Sequence, residues 1–90
     1  MATHKSALKA HRRANARRLR NRHQRAQLRT AVKKFRQALA AGDVDTARSL
    51  LPGTLSLVDR TAKNNAIHTN SASRAKSRLT RALNRTAVEA

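Results

Sequence analysis

A chain of 90 residues with 21 Lys or Arg against 4 Asp or Glu carries a formal charge of +17, and an excess of that size calls for a polyanionic partner. There is no cysteine, Trp or Tyr, and Phe35 is the one aromatic; disulfides, thiolate metal sites, thiol nucleophiles and aromatic platforms for splayed bases are therefore excluded. No 18 apolar residues run together and no apolar stretch follows the N-terminal charges, so neither a membrane span nor a secretory leader is expected.

The first predicted element is a helix over about 6–41, a stretch without Pro or Gly and rich in Ala, Arg, Leu and Gln. Gly42 suits the left-handed closing position, and Asp43 is placed to cap the next helix. Residues 1–42 hold 13 basic groups and no acid. Leu28, Ala31, Val32, Phe35, Ala38 and Leu39 repeat at the spacing of one buried helix face. Arg22, Arg25, Arg29, Lys33 and Arg36 form a second row turned by about 110°. Before position 25 that order disappears: Leu8 and Leu19 lie opposite the later stripe, and Lys5, Lys9, Arg12, Arg13, Arg17, Arg18 and Arg20 point all round the axis. About 5–25 therefore reads as a helical arm that penetrates its partner, and self-repulsion predicts that it folds fully only once anions neutralise it.

The second predicted helix covers about 44–63, with an apolar row of Ala47, Leu51, Leu55, Val58 and Ala62 flanked by Leu50 and Leu57. Pro52-Gly53 interrupts its middle, but the register continues across it, which predicts one kinked helix rather than two. Residues 43–70 balance three bases against three acids, a neutral spacer between charged ends. Asn64-Asn65 close this helix, and Thr69, Asn70 or Ser71 is the expected cap of a third that reaches about residue 86. The third helix carries Ala72, Ala75, Leu79, Ala82 and Leu83 on one side and Arg74, Arg78, Arg81 and Arg85 about 120° away. The expected fold is all-α: an antiparallel three-helix bundle (about 26–86) with a long protruding basic N-terminal helix and a tail at 87–90, all in a single domain over 1–90.

Phosphate backbones fit these rows best, because 15 of the 21 bases are Arg, whose planar fork matches phosphate oxygens bidentately. Without aromatics the target is structured duplex or junction backbone, read by shape. Composition and spacing do not separate RNA from DNA. A nucleoid-type architectural DNA-binding protein is the alternative, although it would typically add apolar wedges, for which the arm offers only Leu8 and Leu19.

Six short strings carry a family resemblance that favours RNA. Lys5-Ser6-Ala7, Arg17-Arg18-Leu19-Arg20-Asn21-Arg22, Lys33-Lys34-Phe35-Arg36, Ala41-Gly42-Asp43, Ile67-His68-Thr69-Asn70 and Lys76-Ser77-Arg78-Leu79 closely resemble the S20 family of bacterial small-ribosomal-subunit proteins, in family order and spacing over about 2–85. The resemblance implies a cytoplasmic, non-enzymatic component of the small ribosomal subunit. It implies direct, early binding of 16S ribosomal RNA, contact with more than one RNA helix low on the body of the subunit, and room for other small-subunit components as neighbours. It carries RNA contact onto Lys5, Ser6, Arg17, Arg18, Arg20, Asn21, Arg22, Lys33, Lys34, His68, Asn70, Lys76, Ser77 and Arg78. Arg12, Arg13, Arg25, Arg29, Arg74 and Arg81 join them from the charge rows alone. Pro52-Gly53 and Asn65 depart from the family pattern, which usually has helix formers and Gly there.

Several residues have plainer roles. His4, His11, His23 and His68 lack metal-ligand spacing, so no metal or other cofactor is expected. His68 is either a cap or packing residue or a phosphate or ribose contact. Asp43 and Asp45 sit where negative charge offsets a helix dipole, and Ser6 and Ser77 lack the base and acid a nucleophile needs. No catalytic residue, small-molecule substrate or membrane partner is expected; a membrane-active helix needs an apolar face that 5–25 does not have.

Overall fold

The computed structural model describes residues 4–89, and all its regular structure is helical: α1 (His4–Ala40), α2 (Val44–Lys63) and α3 (Thr69–Glu89). Each connection is short, so successive helices run antiparallel. α2 packs along α1 and α3 packs on α2, whereas α3 touches α1 sparingly.

Both turns use the same closing device. At the end of α1, Asp43 N–H donates to the Ala38 carbonyl at 2.9 Å and Gly42 N–H to Leu39 at 3.0 Å, with Gly42 at φ +76°. At the end of α2, Ala66 N–H donates to Thr61 and Asn65 N–H to Ala62, both at 3.0 Å, with Asn65 at φ +61°. This paired pattern saturates the last carbonyls and requires a left-handed residue, which Gly adopts freely and Asn tolerates. Asp43 then caps α2, its carboxylate accepting from the Thr46 N–H at 3.2 Å and from the Thr46 hydroxyl.

Phe35, Ala47, Val58, Ala72, Leu79 and Leu83 form the buried core, with Leu28, Val32, Ala38 and Leu39 of α1 packed against it. The α1 stripe is thus as the spacing predicts except at Ala31, which is half-buried and lines a groove between α1 and α2. The α2 face differs: Thr54 and Thr61 are buried, while Leu51 and Leu55 of the expected row are half-buried flanks. Threonine can sit there because each hydroxyl donates to its own helix, Thr54 to the Leu50 carbonyl at 2.9 Å and Thr61 to Leu57 at 2.7 Å. α2 passes through Pro52 and Gly53 as one helix, with both residues on the exposed side.

The start of α3 also differs from expectation. None of Thr69, Asn70 and Ser71 caps it; Asn70 N–H donates to His68 Nδ1 at 3.0 Å, and Ala72 N–H to the His68 carbonyl at 3.0 Å. His68 is therefore the capping residue. α3 continues to Glu89, three residues past its expected end, so 87–89 of the expected tail are helical; position 90 lies outside the described residues.

At 1.5 Å per residue, α1 with 37 residues is about 55 Å long and α2 with 20 about 30 Å. The difference is an overhang. The molecule measures 65 × 20 × 15 Å, and its radius of gyration of 17.8 Å exceeds the roughly 12 Å of a compact chain this long.

Candidate nucleic-acid interface

The overhang is the first part of the interface. Every residue from 4 to 20 is exposed, and the cover supplied by the bundle begins at Asn21. Seven of these residues are Lys or Arg and none is acidic. Lys5, Arg12, Arg13, Arg17, Arg18 and Arg20 therefore share one solvent-surrounded rod. Leu8 and Leu19 are exposed with them, at 43% and 64%, so the rod has no apolar side through which to dock on its own bundle.

Arg22, Arg25, Arg29, Lys33 and Arg36 continue the charge along the covered half of α1, all exposed and turned away from the core. On α3, Arg74, Arg78, Arg81 and Arg85 are likewise exposed. The two rows meet in an open trough between α1 and α3. One part, about 290 Å³, is lined by Arg36, Arg74 and Arg78 over Val32, Ala75 and Leu79. The adjoining part, about 340 Å³, is lined by Arg36, Arg78, Arg81, Arg85 and Ala82. Arg36 and Arg85 are members that the predicted site set lacks. Both stand in the periodic rows, so spacing alone carried the signal for them.

Other predicted residues are dispersed. Lys34 leaves its neighbour Lys33 and lines a groove of about 620 Å³ between α1 and α2, together with His23 and Arg60. Lys76 is partly withdrawn, its ammonium 2.9 Å from Asp59 Oδ1 across the α2–α3 junction. Asn21 is half-buried, with its Oδ1 sealed from solvent and without a hydrogen-bond partner, as is Oε1 of Gln24 one turn on. Ser6, Asn70 and Ser77 are exposed, and His68 is exposed while serving as the cap of α3.

Three of the four acids stand on the α2 side of the molecule, and the fourth, Glu89, is exposed at the end of α3, one turn past Arg85. Asp43, Asp45 and Asp59 stand at the start of α2 or along it, Asp45 lying 3.9 Å from Arg48 and Asp59 against Lys76. The hydrogen bond from the Thr46 hydroxyl, then that from its backbone N–H, holds the Asp43 carboxyl below the usual carboxylate range. Among the described residues no group of three His, Asp or Glu is placed to hold a metal ion, and no helix is long and apolar enough to cross a membrane. The arrangement is suited to gripping a polyanion along its length.

The sequence of this chain matches the family model for ribosomal protein S20 over residues 2–84. The small ribosomal subunit protein bS20 of Geotalea daltonii is 44% identical to it over 84 residues, covering 93% of this chain and 97% of the relative. The bS20 protein of Desulforapulum autotrophicum is 49% identical over 83 residues, covering 92% and 99%. That of Rhodococcus jostii is 45% identical over 85 residues, covering 94% and 99%.

Proposed function

The chain belongs to the ribosomal protein S20 family, structural proteins of the small ribosomal subunit and not enzymes, and we propose from this that it binds 16S ribosomal RNA directly. The observation that carries the reading is the overhanging half of α1. Seventeen consecutive exposed residues, 4–20, bear seven positive charges with no acid among them. A rod of that kind is costly in isolation because like charges repel, and it is stabilised when phosphates surround it and release their counterions. Arginine forks along its circumference reach backbone on several sides at once, which fits contact with more than one RNA helix. The lack of aromatic platforms directs it to folded duplex and junction backbone.

The role is mechanical. The arm enters between RNA helices, its charges neutralise their mutual repulsion, and the bundle anchors the arm at one end. Competition binding at matched salt tests this: folded 16S RNA is expected to displace the protein from duplex DNA, and equal affinity for both would overturn the ribosomal reading.

A further inference from the structure

Besides the arm, the trough between α1 and α3 brings together Arg36, Arg74, Arg78, Arg81 and Arg85 with no acid in its lining. The ion pairs among the described residues use Arg48 with Asp45 and Lys76 with Asp59, and none of the five. Its two parts share Arg36 and Arg78, so they form one channel. From Arg74 to Arg85 it extends about 16 Å along α3 at 1.5 Å per residue. The floor is aliphatic, from Val32, Ala75, Leu79 and Ala82, and charge interactions above such a floor are less screened than in open water. α3 meets α1 more sparingly than it meets α2. Five guanidinium groups across a weakly packed junction repel one another until anions lie between them.

We infer that the trough is a phosphate site separate from the arm, which holds a run of adjacent backbone phosphates of one RNA strand, and that filling it fixes α3 against α1. The identity of the strand rests on the ribosomal RNA reading; the phosphate chemistry of the trough does not. The arm grips RNA without altering the bundle, whereas the trough couples RNA binding to bundle stability.

Two measurements on the full chain test it. In the first, sodium tripolyphosphate is added at constant ionic strength and thermal unfolding is followed. The Tm of the unmodified chain is expected to rise by about 5 °C or more at saturation. A variant with Arg17→Gln, Arg18→Gln and Arg20→Gln keeps that rise, and one with Arg36→Gln, Arg78→Gln and Arg81→Gln loses most of it. If the second variant fails to fold, Arg81→Gln with Arg85→Gln gives the same comparison from one end of the trough. In the second measurement, affinity for transcribed 16S RNA is followed against salt. The trough triple variant still binds through the arm, but its log–log slope is shallower by about 2–3, at roughly 0.7–0.9 per lost phosphate contact. An equal Tm rise in the trough variant, or an unchanged slope, overturns the site. Failure of the unmodified chain to prefer 16S RNA would sink the ribosomal reading, and the tripolyphosphate comparison would still decide the trough.

Discussion

Phe35 is fully buried at the junction of the helices, and no other aromatic side chain is available to fill its place. Phe35→Ala is expected to cost about 3–5 kcal/mol, the usual range for emptying an aromatic site, measured by denaturant titration. The two left-handed turn residues make a paired case. Nothing lies within 4 Å of a Cβ built on Gly42, so Gly42→Ala meets no clash and its cost is the backbone term alone, about 1–2 kcal/mol. Asn65, at φ +61°, already bears part of that strain, so Asn65→Gly is expected to leave Tm unchanged or raise it. Asp43 links a residue to pH. Its folded-state pKa is depressed by Thr46, so its contribution is complete above the usual carboxylate value and fades as pH falls through the lowered one. Asp43→Asn keeps a capping side chain. Comparison of acid melting curves is expected to show a smaller loss of Tm at low pH in the Asn variant than in the unmodified chain.

At the scale of elements, the half of α1 beyond the bundle has helix propensity and charge but no packing to support it. Circular dichroism of the free chain at low salt is expected to gain helical signal when tripolyphosphate or RNA is added. Replacing Arg17, Arg18 and Arg20 with Gln is expected to flatten the salt dependence of RNA affinity by about 2–3; an unchanged slope would remove the arm from the interface. The elements themselves were legible because their signals are local. The α1 stripe from Leu28 to Leu39, the Gly42 stop, the Asp43 cap and the apolar register across Pro52 all lie within a turn or two of the structure they specify. Thr54 and Thr61 were not legible as core, since a hydroxyl that bonds the carbonyl four residues back looks the same in sequence as one that faces water. Sequence leaves His68 between a cap or packing residue and an RNA contact, because the usual capping residues come directly after it; the bond from the Asn70 N–H makes it the cap. Of the interface, the two arginine rows could be read from spacing. Their meeting at Arg36 depends on how α3 is rotated about α2, which no periodicity within one helix encodes.

The whole molecule is electrostatically sided. The arm, the exposed row of α1 and the trough carry the positive charge, whereas three of the four acids stand at the start of α2 or along it. On α2, Ser49 and Ser56 are exposed on the side opposite the buried Ala47, Thr54, Val58 and Thr61, at 100° per residue. On the proposed reading, a molecule arranged in this way sits on RNA through α1 and α3 and leaves the outer side of α2 in solvent. Because the chain has no cysteine, single replacements report on this directly. Ser56→Cys on α2 and Ser71→Cys, at a position that lines the trough, both begin exposed, so both are expected to react with a maleimide in the free protein, Ser71→Cys the faster because the arginines beside it and the start of α3 favour its thiolate. In the complex with 16S RNA, Ser71→Cys is expected to slow at least tenfold and Ser56→Cys to keep its rate. Slowing at Ser56→Cys alone would mean that RNA covers the neutral side, and the division of the surface by charge would not describe how the protein is seated.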